Sequence, residues 1–197
     1  MRKIRGFRLA LHARELRRRL RRAADLPGLG LDDESLFEKH LKGFGARLEP
    51  SVVFESFGAD STDTAALSPL PGLAHTIGLV TLGPDADAYL AEQRESGARH
   101  AKLAECLRKV ALEEGVRFVI GLIAEEVEDE RCDLSPIHYV LDPDALAFLL
   151  EKLSAAKIRV ELSSGTLRPE CSAAFCLSWI ARPRGRRSAK ADPAKKK

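Results

Sequence analysis

The side chains best suited to contact a ligand fall in one stretch. Ser135, His138 and Tyr139 belong to Leu134-Ser135-Pro136-Ile137-His138-Tyr139, and Arg168 precedes Pro169 further along. An imidazole and a phenol on a proline-restricted loop can hydrogen-bond to a bound molecule and stack on it. The same pair also fits a plainer role, anchoring the loop to the core. Arg168 on its turn can meet a carboxylate, or only cap the helix–strand unit before it.

Other chemistry is scarce. The chain has no Gly-rich dinucleotide fingerprint, no phosphate-binding P-loop, no His-Glu-x-x-His and no Gly-x-Ser-x-Gly segment. His12, His40, His75, His100 and His138 are scattered without metal-ligand spacing and read as surface or internally satisfied side chains. Cys106, Cys132, Cys171 and Cys176 form no Cys-x-x-Cys pair, so reduced thiols in a cytoplasmic protein are expected. No catalytic residue and no metal site is singled out, and whether the chain is an enzyme stays open. The acidic run at 125–130 can attract a cation or a sulfonium, or simply be a solvated face.

Charge is unevenly spread. Of the 32 basic and 29 acidic residues, residues 1–24 hold ten basic and one acidic, and 182–197 hold eight basic and one acidic. The body at 25–181 is therefore acidic, with two basic arms suited to RNA or to an acidic protein partner. A non-catalytic binding module working through those arms is one functional reading. No apolar run approaches a membrane span, and no secretory signal is expected.

The elements that must position the candidate residues follow from periodicity and punctuation. Residues 3–11 alternate as a strand, and a helix runs from 12 to about 24. Asp32 or Asp33 caps a helix reaching to about 48, with Leu36, Phe37, Leu41, Phe44 and Leu48 as its buried stripe. Strands are expected at 51–57 and 75–82, joined by a polar connection at 59–73 with a helical turn. A long helix begins at Pro84, can break at Ser96-Gly97, and ends at Gly115 in a left-handed conformation. The apolar run at 116–124 reads as a buried strand. Asp142-Pro143 opens a helix to about 156, strands follow at 159–162 and 172–180, and the tail from 182 is expected to be disordered. Strands and helices mix without regular βαβ alternation, which gives an α+β class. The domain layout is a basic N-terminal strand and helix at 1–24, one α+β domain at 25–181 and a basic tail at 182–197.

The order of these pieces resembles a known family. Leu134-Ser135-Pro136-Ile137-His138-Tyr139 is similar to the Arg-x-Ser-Pro-Gly-Tyr segment of the activation (reactivation) domain of vitamin B12-dependent methionine synthase. Lys157-Ile158-Arg159-Val160-Glu161-Leu162 falls where that domain has an Ile-Gly-Val-x-Leu stretch. Leu167-Arg168-Pro169-Glu170-Cys171-Ser172-Ala173 falls where it has Met-x-Pro-x-x-Ser-x-Ser-Gly, and Val80-Thr81-Leu82-Gly83 resembles its Thr-x-Gly strand end. The resemblance runs in order from about 75 to 180.

It implies a twisted, mostly antiparallel sheet with surrounding helices. It also implies binding of S-adenosylmethionine, and assistance in the reductive reactivation of a cobalamin-dependent methyltransferase or corrinoid protein partner. Ser135, His138, Tyr139 and Arg168 are then the expected ligand-binding residues. Asp133 stands at the position of the family's arginine and Ile137 at that of its glycine. The first inverts a charge that would meet the ligand's carboxylate, and the second adds a Cβ where the backbone would approach the ligand.

Overall fold

Two β-branched and aromatic segments and one long apolar segment make the middle of a sheet. The structure, a computed structural model, describes residues 1–21, 25–61 and 63–183. Strands β2 (Ser51–Phe57), β3 (His75–Thr81) and β8 (Ser172–Ala181) lie side by side, with β1 (Arg2–Arg5) outside β2. On the other side of β8 come β4 (Cys132–Leu134) and β5 (His138–Tyr139), which pair with different parts of it. A separate hairpin joins β6 (Glu161–Ser163) to β7 (Thr166–Arg168). Every ladder among the described residues is antiparallel, so with its helices the molecule is α+β.

The sheet is covered on both faces, which is why its central strands read as nearly unbroken apolar runs. Val52, Phe54, Val80, Phe175, Leu177 and Trp179 face one core, while Val53, Ile77, Leu79, Ala174 and Cys176 face the other. The first core is built on α1 (Ala13–Leu20), α2 (Glu34–Gly45), α3 (Pro84–Glu95) and the long α4 (Ala98–Asp129). The second is built on α5 (Pro143–Lys152) and the 3-10 turn Ala155–Ile158. Polar groups between the strands are paired. Trp179 Nε1 donates to Thr76 Oγ1 at 2.9 Å, and His75 Nε2 lies 2.9 Å from Thr64 Oγ1. Such pairing offsets the cost of burying them.

Helix starts follow their caps. Asp33 accepts from the Leu36 N–H and Asp142 from the Ala145 N–H, each satisfying an otherwise orphaned donor. Pro143 and Pro84 occupy first-turn positions where no intrahelical donor is lost. The expected break at Ser96-Gly97 is present: Gly97, at φ 111, separates α3 from α4.

Several expectations are corrected. Residues 116–124 are helix, not strand. Val116, Val119, Ile123 and Val127 are buried at three- and four-residue spacing, so this apolar run continues the inner stripe of α4 begun by Leu103 and Leu107. Gly115 does not end the helix. It lies inside α4, where a Cβ would fall 2.5 Å from Val80 Cγ1, so its role is close approach of helix to sheet. The acidic run at 125–130 is the last turn of the same helix and its cap.

The first strand ends at Arg5 and not near residue 11. Residues beyond it lie over α4, where Phe7 stacks on Phe118 with ring centroids 4.1 Å apart. Leu36 is exposed, because α2 turns Phe37, Leu41 and Phe44 inward instead. Arg159 is left-handed (φ 57), which delays β6 to Glu161. The N-terminal strand and helix pack into the body: β1 extends the sheet, and Leu16 and Leu20 belong to the first core. The tail expected to be disordered lies, from residue 184 on, outside the described residues.

Candidate functional site

Strand β8 is unevenly covered on its outer side. Its pairs with β4 run from Trp179 to Ala181 and its pairs with β5 involve Phe175 and Cys176. Before that, the Val140 N–H reaches Ala174 O at 3.0 Å, and among the described residues no strand pairs with Ser172 and Ala173 on this side. There a groove of about 810 Å³ opens between β8 and α4. This volume lies within the range of small-molecule sites.

The floor and one wall are apolar: Leu112, Val140, Leu146, Leu167, Ala173 and Ala174. Tyr139 enters from β5, and Leu141, 81% exposed, forms the lip beside it. Burial pushes the Tyr139 phenol up, helped by Glu113, so at neutral pH it is an uncharged hydroxyl able to donate. The other wall is the face of α4 carrying Lys102, Glu105, Cys106, Lys109 and Glu113. These recur at three- and four-residue spacing, as one helical face requires.

Charge at the groove's end is organised around two carboxylates. Arg94 donates to Glu105 at 2.8 Å and to Glu170 at 3.0 Å. Arg108 donates to Glu105 at 2.8 Å, and Arg168 to Glu170 at 2.7 Å. Arg94 holds the Glu170 carboxyl below its ordinary value, with Arg168 adding to the effect. Burial pushes Glu105 up, but Arg94 and Arg108 outweigh it and the net shift is downward. Asp87 of α3 fixes the turn behind this cluster, accepting from Glu170 N at 2.5 Å and Cys171 N at 2.7 Å. The Arg168–Pro169 peptide in that turn is cis.

Three thiols are held protonated. Burial pushes Cys106 up, and Cys176 is pushed up to about 12. Cys171 is raised further by burial and by its hydrogen bond with Asp87. The protein groups of the groove are thus suited to recognition: an apolar bed, one neutral phenol and charged groups of both signs at the edge.

The four residues singled out from sequence separate here. Tyr139 lines the groove, and Arg168 touches it through Glu170. His138 is one residue from Tyr139 on the short β5 and is exposed. Ser135 lies apart. Its Oγ accepts from the Ser178 N–H and donates to Pro136 O, and its own N–H donates to Ser178 O. That is a clasp between the loop and β8.

Asp133 also points elsewhere, paired with Arg182 at 2.9 Å, so the inverted charge does not line the groove. Ile137 packs against the first core. The α4 face was not anticipated as part of a site. Its signal in the sequence is the set Lys102, Cys106, Lys109 at i, i+4 and i+7, polar positions interleaved with the buried Leu103 and Leu107.

The basic N-terminal segment is partly neutralised by the body. Arg2 pairs with Glu126, Arg14 with Glu34 and Arg19 with Glu113. Among the described residues no helix is long and apolar enough to cross a membrane. No protein-family model matches the chain, and no curated protein matches it.

Proposed function

We propose that this chain is an activation-domain-like accessory protein. It takes S-adenosylmethionine in the groove between α4 and β8, and assists reductive reactivation of a cobalamin-dependent methyltransferase or another corrinoid protein. The observation that carries the proposal is the position of Tyr139. The segment resembling the family's ligand loop delivers this phenol into the groove of about 810 Å³. The groove's character supports the same reading: an apolar bed suits an adenine ring, and an edge of mixed charge suits an amino-acid moiety. The methyl and electron chemistry would belong to the cofactors, with the protein supplying binding and orientation.

The test is calorimetric titration of the full chain with S-adenosylmethionine. Saturable one-to-one binding is expected, weakened about tenfold or more in Tyr139→Ala, the scale of losing a well-packed aromatic anchor. Heat indistinguishable from dilution, or binding indifferent to Tyr139→Ala, removes the assignment of this ligand to this groove. A second titration with a corrinoid protein tests the partner.

A further inference from the structure

The groove is electrostatically lopsided in a way that the S-adenosylmethionine reading does not use. Its lining includes three carboxylates, Glu105, Glu113 and Glu170. Each is paired with an arginine: Glu105 with Arg94 and Arg108, Glu170 with Arg94 and Arg168, Glu113 with Arg19. Two further cations line the same groove, Lys102 and Lys109, and neither has an ion pair among the described residues. They stand seven residues apart on α4, two turns of one face, with Cys106 between them. Burial pushes the Cys106 thiol up, and Glu105 on the same face is already held by Arg94 and Arg108, so the two ammonium groups are left as the positive excess of this face.

The facing wall has no charge to answer them. It is made by Tyr139, Val140, Leu141, Leu146 and Leu167, with Leu141 81% exposed at the lip. One side of the groove is therefore charged, with its carboxylates taken up by arginines and two lysines in excess, and the other is apolar, over a common apolar floor. Two uncompensated ammonium groups beside a low-dielectric wall attract an anion more strongly than the same charges in open solvent. An exposed leucine and a half-exposed tyrosine at the lip favour an apolar body lying across them.

We propose that the groove is a site for an anionic amphipath, a molecule with a carboxylate or phosphate head and an apolar body. Lys102 and Lys109 hold the head, and the Tyr139–Leu146 wall holds the body. The inference uses the same groove as the proposed function but not its ligand, and it stands or falls separately. If S-adenosylmethionine binds there, its carboxylate is one such head. If it does not, the site retains its preference.

The experiment titrates the full chain with four probes of matched chain length below their micelle concentrations: dodecanoate, dodecyl phosphate, dodecanol and dodecyltrimethylammonium. Both anions are expected to bind saturably at one site, about tenfold or more tighter than the alcohol, as for a charge-assisted contact. Their relative affinity distinguishes a carboxylate site from a phosphate site. Lys102 and Lys109 are exposed, so the double variant Lys102→Gln with Lys109→Gln is expected to keep the fold, checked by circular dichroism. In it the anions should fall to the level of the alcohol, whose own affinity stays unchanged. Arginine at both positions should restore anion binding.

Equal binding of cation and anion, or anion binding untouched by the double variant, overturns the proposal. Failure of S-adenosylmethionine to bind while dodecanoate binds overturns only the earlier reading. The converse outcome overturns only this one.

Discussion

The two ends of β8 are built from one strand and do different things. Towards Ala181 the strand is closed: β4 pairs with it, and Ser135 clasps Ser178. Ser68 Oγ reaches Ser178 Oγ at 2.9 Å, and Trp179 donates to Thr76. Towards Ser172 its outer side borders the groove, where α4 and the β5 segment stand off from it. The stretch 134–139 serves both ends, with Ser135 at the closed one and Tyr139 at the open one. A run that looks like a single ligand loop in sequence is thus divided between a structural clasp and a wall of the groove.

The sharpest break in this comparison is at its middle. Phe175 is fully buried between the two ends, and Phe175→Ala should cost about 3–5 kcal/mol of stability by denaturant unfolding. Both ends should loosen together, and a loss under about 1 kcal/mol would mean the strand does not couple them.

Next is the clasp. Ser135→Ala leaves the Ser178 N–H without its side-chain partner, at a cost of about 1–3 kcal/mol. Ligand affinity at the groove should be unchanged in that variant. Affinity lost in proportion to stability would place Ser135 with the ligand after all.

The smallest effect belongs to the charge cluster at the open end. Arg94 lowers the Glu170 carboxyl, so the pair stabilises fully above the ordinary glutamate value of 4.5. That contribution is lost as pH falls through the lower folded value. The two side chains are partly exposed, so Arg94→Gln should cost no more than about 1 kcal/mol at neutral pH, and the gap to the parent protein should close in acid. A gap that persists at low pH would assign the loss to packing.

What was legible in the sequence follows the same division. Local signals worked: Asp33 and Asp142 as caps, Pro84 and Pro143 at helix starts, the break at Gly97, and strands β2, β3 and β8. They worked because each is decided within a few residues. The 116–124 run misled because a β-branched apolar segment satisfies strand and helix patterns alike, and only its continuity with Leu103 and Leu107 decides the matter. Gly115 misled because a glycine needed for close packing looks the same in sequence as one that ends a helix.

The candidate site was half legible. Tyr139 and the Arg168 turn were found through punctuation, whereas the α4 wall was not. The contact that ties α4 to the far end of the groove, Arg108 to the Glu170 carbonyl, spans 62 residues and leaves no local trace.

The division of β8 into a closed and an open end is tested most directly residue by residue. Amide chemical shifts of the full chain are followed while S-adenosylmethionine is added, and in a parallel titration dodecanoate. Shifts should concentrate at residues 102–113, 139–141 and 172–174 around the groove, and leave Ser135, Ser178 and Trp179 at the closed end unmoved. Perturbation centred on the closed end, or none from either ligand, would contradict it.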